Sequence, residues 1–243
     1  MDVSVIIVSY NTAKLIRSCI DSVRMQKNVR FEIIVVDNAS ADKSAEVIRT
    51  YGEQVSLIVN SDNIGFGRAN NLAFKKARGH YIFLLNPDAR FVKNTALATM
   101  VRFMDAHPEF GIVGTLIDQA DEQVKPYMYY PCYKFIGRDY SDLPGDIAWI
   151  AGASMMTRAE VIDKTCGFDE DFFLYWEETD WCLRIREGGY AVGYNPEVVV
   201  QHIQGASEQN TSQYDYALKR QNSLYLFCRK HSVSYTHLRA HET

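Results

Sequence analysis

The sequence predicts an α/β protein with a mostly parallel central sheet flanked by helices, in a single domain. Apolar segments of strand length recur along the first half of the chain, and stretches with helical periodicity separate them. This alternation indicates βαβ units. Polar residues follow several of the apolar segments, at the strand ends that right-handed crossovers bring to one edge of the sheet. Because open α/β sheets bind ligands at that edge, these polar residues are candidates for a binding site.

The first 120 residues supply a regular series of strands and helices. The apolar, β-branched segment 3–9 is typical of a strand buried on both faces. Asn11 or Thr12 is a candidate cap for the next helix, whose apolar residues run from Ile16 to Val23 at i, i+3, i+4 and i+7. The alternation continues with predicted strands 31–38, 55–60, 80–86 and 111–117, and with helices near 42–51, 66–77 and 97–104.

After residue 120 the pattern is less regular. Segment 121–146 is rich in Tyr and Pro without a clear period, which indicates an irregular excursion over the sheet. The later elements contain no linker or repeat, so we expect one domain over residues 1–231. Residues 232–243 match no pattern in the rest of the chain and are interpreted as a non-native or disordered tail. The remaining elements are a strand at 147–158, a helix at 159–164, a loop and helix at 168–189, one or two strands at 190–202 and a helix at 214–230.

Composition excludes several classes of protein. The 243 residues are 47% hydrophobic with a formal net charge of −4, which excludes intrinsic disorder and argues against coating nucleic acid by bulk charge. The longest apolar runs are strand-sized, short of the roughly 20 residues that a membrane helix needs. The first residues lack the basic region and cleavage site of a secretory signal. Five scattered cysteines without C-x-x-C predict no zinc or redox motif and are typical of a reduced cytoplasmic protein.

Two of the polar strand ends suggest contacts to a nucleotide. Asp37 ends the second predicted strand, and its carboxylate could accept the imide N–H of a pyrimidine base; a helix cap is the alternative. Gly65 and Gly67 lie between a strand and a helix, where backbone can approach a ligand and free N–H groups can face an anion. A plain tight turn explains this pair equally well. Asn70 stands at the third glycine position of the dinucleotide fingerprint, so that motif is absent.

Asp88 and His202 are candidate metal ligands. Pro87 ends ladder pairing after the strand at 80–86, so Asp88 is expected at the sheet edge. Proteins hold Mg²⁺ or Mn²⁺ there by one or two carboxylates together with substrate phosphates, although Asp88 could instead cap a helix. His202 follows the apolar run Val198–Val200 and is either a structural residue or a neutral imidazole ligand.

The segment 168–180 holds six acids among aromatic residues and no base. A solvated acidic face is the usual interpretation of such a run, but the aromatic residues do not belong on one. Asp180 lies four residues before Arg184 and predicts an i,i+4 ion pair. Glu178 shares its helical stripe with inward residues, where a carboxylate has a raised pKa and suits a general base. Glu177 could complement the helix dipole.

Together these pieces resemble an inverting family 2 glycosyltransferase with the GT-A fold. The matching elements, which cover about residues 3–230 in order, are VIIVSYN (5–11), VVDNASAD (35–42), NIGFGRANN (63–71), LLNPDA (84–89), IAGASMMTR (150–158), GFDEDFFLYWEETDWCLR (167–184) and His202. Within the family the chain looks most like bacterial rhamnosyltransferase-type enzymes of surface polysaccharide synthesis. The resemblance implies a GT-A, Rossmann-like sheet and an enzyme that uses a nucleotide-diphosphate sugar.

The resemblance assigns donor-binding roles to particular residues. Asp37 matches the residue that contacts the uracil or thymine base. Asp88 is the implied ligand of Mg²⁺ or Mn²⁺, Asn86 replaces the first acid of the D-x-D motif, and His202 matches a histidine that completes the metal site. The other implied contacts to the nucleotide sugar are Ser9, Tyr10, Asn11, Asn63, Gly65 and Gly67.

The resemblance also implies the catalytic and acceptor residues. Glu178 matches the catalytic base, where an Asp is more usual, and Glu177 is not excluded from that role. Trp176 and Trp181 would line the acceptor pocket. The implied reaction is a single displacement in which the base removes the proton from an acceptor hydroxyl and the metal neutralises the leaving diphosphate.

Two other functions stay open on the sequence alone. One is a non-catalytic nucleotide-sugar-binding module, against which the retention of Glu178 and Asp88 argues. The other is a Rossmann-type dehydrogenase, which the missing third glycine disfavours. The implied partners are a dTDP- or UDP-linked sugar and a saccharide or polyprenyl-linked acceptor, without nucleic acid. The expected location is the cytoplasm, with the basic C-terminal helix as a candidate for peripheral contact at the inner membrane face; core packing is the alternative.

Overall fold

The computed structural model describes residues 1–119, 122–131, 140–203 and 212–231. Its strands are β1 (Val3–Ser9), β2 (Phe31–Asp37), β3 (Ser56–Val59), β4 (Tyr81–Leu85), β5 (Ala89–Phe91), β6 (Phe110–Gln119), β7 (Glu122–Val124), β8 (Ser154–Arg158) and β9 (Ala191–His202). Its helices are α1 (Ile16–Arg24), α2 (Ser44–Arg49), α3 (Phe66–Phe74), α4 (Ala96–Ala106), α5 (Ala159–Thr165), α6 (Glu177–Glu187) and α7 (Gln213–His231), with a 3₁₀ turn at Gly52–Gln54. The predicted tail and Cys132 lie outside these residues.

The strands form one sheet in the order β3-β2-β1-β4-β8-β6-β9-β5, and β7 pairs with β6. Strands β1 to β4 are mutually parallel, as the βαβ pattern predicts. The sequence did not predict that β8 runs antiparallel between β4 and β6. As a result the beginning of β8 lies at the same edge as the ends of the parallel strands.

Helices cover both faces of the sheet. One face packs against α1 and α4 through residues such as Ile20 and Met100, and the other packs against α3 and α6 through residues such as Ala69 and Trp181. Burial on both faces explains why β1 is apolar along nearly its whole length. The expected side-chain cap of α1 is not observed, because the Thr12 hydroxyl pairs with that of Ser9 at 2.8 Å.

Helix α7 docks on α6 and on the acidic segment before it. Phe227 is fully buried beside residues of that region. Lys230 Nζ lies 2.6 Å from a carboxylate oxygen of Asp169 and of Asp171, and His231 Nε2 lies 2.7 Å from Asp180 Oδ1. Basic side chains at the end of α7 are therefore paired with acidic residues of the protein itself. Its contact with a membrane stays a prediction, and within the described ranges no helix is long and apolar enough to cross one.

The cysteines are dispersed through the structure. Cys19 and Cys182 are buried free thiols and Cys166 is an exposed one. Cys228 is disulfide-bonded, which differs from the expectation of a fully reduced chain.

Candidate active site

The ends of β1, β2 and β4 and the beginning of β8 meet at one edge of the sheet. Asn38 N donates to Ser9 O at 2.8 Å, and Asn86 N donates to Ala153 O at 2.9 Å. These bonds join segments that are far apart in sequence. The predicted donor-binding residues therefore share this edge, as expected for an open α/β sheet.

Asp37 lies at this edge, and only one of its two carboxylate oxygens has a hydrogen-bond partner among the described residues. Its carboxylate is 1% exposed, and Oδ2 accepts a hydrogen bond from Ser40 N at 3.1 Å. Oδ1 is buried and has no hydrogen-bond partner among the described residues. Buried polar atoms are nearly always hydrogen-bonded, so Oδ1 is well suited to accept an N–H from a ligand.

Asn38 organises the loop that follows β3. Its Nδ2 donates to Asn63 Oδ1 at 2.7 Å and to Gly65 O at 3.2 Å. Its Oδ1 accepts from Asn60 Nδ2 at 3.0 Å and from Ile64 N at 3.2 Å. The Asn38 side chain thus fixes the shape of the loop between β3 and α3, residues 60–65. We call it the nucleotide-sugar loop, because the resemblance assigns donor contacts to Asn63 and Gly65. The sequence analysis did not predict this role of Asn38.

The two glycines Gly65 and Gly67 allow close packing of the chain, and their contact with a ligand stays a prediction. A Cβ on Gly65 would lie 2.4 Å from Phe173 O, and one on Gly67 would lie 3.0 Å from Phe168 Cβ. Gly65 also has φ of +89°, and the N–H of Phe66 donates to Phe173 O at 3.0 Å. The glycines therefore let α3 approach the segment 168–173, which brings the predicted donor and catalytic regions together.

Several non-glycine residues near the cleft have left-handed backbone. The φ angles of Asn11, Ala39, Tyr175 and Trp176 are 54°, 63°, 70° and 69°. Such conformations are uncommon outside glycine and cluster at functional sites. Tyr175 and Trp176 come directly before α6, so this turn sets the direction in which the predicted catalytic helix begins.

A pocket of about 150 Å³ lies between the nucleotide-sugar loop and the segment before α6. It is lined by Tyr10, Asn63, Gly65 and Asn86, among others. Lys219 of α7 is the one cationic side chain among the described residues that line it. The sequence signal for this residue is the basic character of α7, which by itself predicts a solvated or membrane-facing surface and not a place in a cleft.

Asp88 and His202 lie together as predicted. His202 Nε2 is 3.2 Å from Asp88 Oδ1 and 3.4 Å from Asn86 Nδ2, and both Asp88 and His202 are largely buried. Asp88 Oδ1 has no hydrogen-bond partner among the described residues. A buried carboxylate oxygen beside an imidazole nitrogen fits a divalent cation, with further ligands from substrate phosphates. The described part of the chain holds no cluster of three or more His, Cys, Asp or Glu suited to a metal.

Glu178 and Glu177 begin α6, and burial dominates the electrostatics of both. Burial raises the pKa of Glu178 to about 7, against the opposing effects of Arg220 and of backbone N–H groups. Burial and the neighbouring Glu178 raise the pKa of Glu177 well above its usual range. Oε2 of each is buried without a hydrogen-bond partner among the described residues. This environment is typical of a general base.

A group of aromatic side chains lies near Glu178. Burial of its ring raises the pKa of Tyr127, and the charge of Glu178 raises it further. Gly152 lies against Glu178, since a Cβ there would be 3.6 Å from Glu178 Cβ. The rings of Tyr127 and Trp149 stack at 3.7 Å, and Trp149 contacts Trp176 at 5.8 Å between ring centroids. Tyr127 is 41% exposed. The site therefore offers flat apolar surfaces next to a carboxylate, and of these residues the sequence predicted Trp176.

Trp181 does not fit its predicted place in the acceptor pocket. It is fully buried between α3 and α6, where its ring contacts Phe168 at 4.5 Å and Phe74 at 5.7 Å. Its Nε1 donates to Thr165 Oγ1 at 2.8 Å. Trp181 is therefore a core residue, because it lies on the helix face opposite to solvent.

Comparisons with known proteins identify the family. The family model described as "Glycosyl transferase family 2" matches residues 4–165, more than half of the chain. The chain therefore belongs to glycosyl transferase family 2, which argues against the dehydrogenase alternative.

Individual relatives agree with this result. The chain is 25% identical to the rhamnosyltransferase WbbL of Escherichia coli K12 over 244 residues, covering 89% of this chain and 88% of WbbL. Its fold is similar to the mannosyltransferase PcManGT of Pyrobaculum calidifontis, solved with GDP-Man and Mn²⁺, with a TM-score of 0.66 and 22% identity. That match covers 89% of this chain and 60% of the other, so the chain spans less than two thirds of PcManGT.

A third similarity is to residues 1–349 of Staphylococcus aureus TarS, solved with UDP-GlcNAc. The TM-score is 0.69 with 18% identity, and the match covers 98% of this chain and 69% of the other. These structural likenesses confirm the GT-A fold, a mixed α/β domain with a curled central sheet flanked by helices.

Proposed function

We propose that the protein is an inverting glycosyltransferase of cell-surface polysaccharide synthesis. It would move a sugar from a dTDP- or UDP-linked donor, with dTDP-rhamnose as a candidate, to a hydroxyl of a saccharide or lipid-linked saccharide. The names of WbbL and TarS support the reaction class, since one is a rhamnosyltransferase and the other is a poly(ribitol-phosphate) β-N-acetylglucosaminyltransferase.

The observation that carries the proposal is the buried carboxylate of Glu178 beside exposed aromatic surface. Its pKa of about 7 gives a base that is partly ionised at neutral pH and strong enough to take a hydroxyl proton in the transition state. Tyr127, which is 41% exposed and stacks on Trp149, offers an aromatic surface for the apolar side of a sugar ring. Trp176 lies behind it with the Arg220 guanidinium over its ring. We assign the acceptor to this region and the catalytic base to Glu178.

The donor is assigned to the cleft between β2, the nucleotide-sugar loop and Lys219. Asp37 Oδ1 would accept the imide N–H of the base, with backbone near Ser9, Tyr10 and Asn11 as the opposite wall. Lys219 would lie near the diphosphate. A cation there stabilises the negative charge that develops as the diphosphate leaves.

Asp88 and His202 would hold a Mg²⁺ or Mn²⁺ ion beside this cleft, in the neighbouring cavity that they line, and Asn86 lies between the two. PcManGT and GalNAc-T7 were both solved with Mn²⁺, which supports this assignment. When bound, the ion would supply Lewis-acid stabilisation of the leaving diphosphate.

The proposed reaction is a single displacement. Glu178 takes the proton from the acceptor hydroxyl as its oxygen forms a bond to the anomeric carbon. The bond from that carbon to the phosphate oxygen breaks on the opposite face, and the electron pair leaves with the nucleoside diphosphate. One displacement inverts the anomeric configuration, so no nucleophilic side chain is required.

A thermal-shift panel tests the donor assignment. UDP-, dTDP- and GDP-sugars are compared with and without Mg²⁺ or Mn²⁺, and the true donor is expected to give the largest stabilisation because the shift grows with ligand concentration over Kd. The selected donor is then incubated with saccharide acceptors, and product configuration is assigned by NMR. A product with retained configuration contradicts the inverting mechanism. Binding without transfer or donor hydrolysis favours a non-catalytic module.

A further inference from the structure

The two ring nitrogens of His202 have different neighbours. Nε2 faces Asp88 Oδ1 at 3.2 Å, and Nδ1 faces the side-chain amide of Gln119, with its Nε2 at 3.2 Å. Gln119 ends β6, which runs parallel to β9, so its place beside His202 follows from the register that pairs Asp118 with Gln201. The His202 side chain is 10% exposed, so both contacts are largely shielded from water.

No single neutral tautomer of the ring satisfies all of these contacts. A neutral imidazole has one N–H and one lone pair. Asn86 Nδ2 lies 3.4 Å from Nε2 and Gln119 Nε2 lies 3.2 Å from Nδ1, and an amide nitrogen can only donate, so one of the two amides must turn its oxygen to the ring. When Gln119 donates to Nδ1, the ring proton is on Nε2 and the Nε2 lone pair is unavailable to a cation.

Binding of a cation at Nε2 requires the tautomer that has its proton on Nδ1. Nδ1–H then needs an acceptor. A glutamine amide presents oxygen in place of nitrogen after a half-turn about its last torsion, so Gln119 can serve either tautomer.

We propose that Gln119 is a positioning residue of the metal site, whose amide accepts Nδ1–H and presents the Nε2 lone pair to the cation. This inference rests on the proposed function, because it requires that Asp88 and His202 hold the ion. Outer hydrogen-bond partners of metal-bound histidines typically change metal affinity about 10- to 100-fold.

Two substitutions at Gln119 separate the proposal from a structural role. Gln119→Glu keeps the acceptor and removes the donor, so we expect tighter Mn²⁺ binding. Gln119→Met keeps the length and removes both functions, so we expect Mn²⁺ binding about 10-fold weaker. Mn²⁺ is titrated alone and the free ion is measured by electron paramagnetic resonance. Gln201→Glu is the matched control, because it adds the same charge one residue from His202 while its side chain contacts Arg90.

A second measurement does not need the metal. Long-range ¹H–¹⁵N NMR reports which ring nitrogen carries the proton, and His202→Gln identifies the signals. We expect a larger fraction of protonated Nδ1 in Gln119→Glu than in the wild type, and equal fractions would contradict the role of Gln119.

The outcomes distinguish this inference from the metal site itself. Mn²⁺ binding that Asp88→Asn leaves unchanged would overturn the metal assignment and the inference together. If Mn²⁺ binding is lost in Asp88→Asn but is unchanged in Gln119→Met, the metal site stands and the role of Gln119 is overturned. Equal tightening in Gln119→Glu and Gln201→Glu also overturns it, because charge alone would then account for the effect.

Discussion

Glu178 and Glu177 are neighbours in the first turn of α6 and differ in what surrounds them. Glu177 is 3% exposed, and Glu178 raises its pKa further. Glu178 contacts Gly152 just before β8 and is close enough to Arg220 and Tyr127 to interact with their charges. Because Glu178 is partly exposed and Glu177 is buried, we assign the role of base to Glu178.

Glu178→Gln is expected to lower kcat about 10²- to 10⁴-fold, because the amide cannot accept the hydroxyl proton. Donor affinity is expected to change little, since Asp37 and the nucleotide-sugar loop are untouched. Transfer rates and donor titration measure the two effects separately. Glu177→Gln is the matched control and is expected to retain most of the rate; loss of transfer in that variant alone would reverse the assignment.

The pH dependence of transfer follows from the raised pKa of Glu178. A general base acts in its ionised form, so kcat/KM is expected to rise with pH and to reach half its plateau near pH 7. The measurement is kcat/KM from about pH 5.5 to about pH 8.5 at saturating metal. A flat profile across this range would mean that Glu178 does not titrate in the rate-limiting step.

Asp37→Asn is expected to weaken binding of the nucleoside diphosphate. Hydrogen bonds to charged groups contribute about 1.5–3 kcal/mol, which corresponds to about 10- to 100-fold in Kd. Calorimetric titration measures it. Asp42→Asn serves as the control, because both oxygens of Asp42 already accept bonds from Ala13 N and Ser44. Similar losses in both variants would assign Asp37 to loop structure.

At the level of elements, the contact of α3 with the segment 168–173 links donor and catalytic regions. The turn before α3 can approach Phe173 because Gly65 lacks a Cβ. Sequence reasoning found this glycine from its place between a strand and a helix. It assigned ligand approach, because a partner about a hundred residues away leaves no local pattern.

Gly65→Ala is expected to destabilise the fold by more than Gly52→Ala. Both glycines have positive φ, of +89° and +56°, so both variants lose about 1–2 kcal/mol from backbone strain. A Cβ on Gly52 meets nothing within 4 Å, whereas one on Gly65 would lie 2.4 Å from Phe173 O. Urea unfolding measures the difference, and equal losses would mean that the approach to Phe173 is not tight in solution.

Strand positions were predictable because apolar runs that are buried on both faces have a strong sequence signal. Predicted β1 at 3–9 matches the observed strand, and the predicted strand at 80–86 matches β4 within one residue at each end. The predicted strand at 147–158 begins only at Ser154. The direction of β8 could not be predicted, because orientation depends on partners and not on the pattern within a strand.

For the candidate site, Asp37, Asp88 and His202 were predictable from strand ends, since the topology of an α/β sheet places those ends together. Lys219 and Gln119 were not, because their roles depend on how α7 and β6 dock. Trp181 and Trp176 lie in the same acidic and aromatic segment. The sequence could not show that Trp181 faces the core from α6 whereas Trp176 lies in the left-handed turn before that helix.

For the whole molecule, buried carboxylates predict a decrease in stability as pH rises. In the folded state Glu178 has a pKa of about 7 against an ordinary value of 4.5, and the pKa of Glu177 is also raised. Between about pH 5 and pH 8 these two carboxyls bind more protons in the folded chain than in the unfolded chain, so their contribution to the free energy of unfolding falls with increasing pH. The stabilising contribution of these two groups is fully present below their pKa in the unfolded chain. It is lost as the pH rises through their pKa in the folded chain.

Urea unfolding at about pH 5.5 and about pH 8 is expected to give a lower free energy of unfolding at the higher pH, by a few kcal/mol for shifts of this size. Glu177→Gln is expected to reduce that difference, because one of the two titrating groups is removed. A free energy of unfolding that is constant or rises over this interval would show that the two carboxyls are already ionised in the folded protein at the lower pH.

The insertion of β8 between β4 and β6 has a consequence for the order in which the molecule can fold. Leu85 pairs with Ser154, and Ala89 pairs with His202 across an even longer stretch of chain. Contacts between residues so distant in sequence make folding slow, because a large loop must close before pairing is favourable. During synthesis, β1 to β3 can associate early, but the edge that holds Asp88 is complete only after His202 has emerged from the ribosome. Translation thus produces Asp37 and the loop between β3 and α3 well before Glu178, His202 and Lys219.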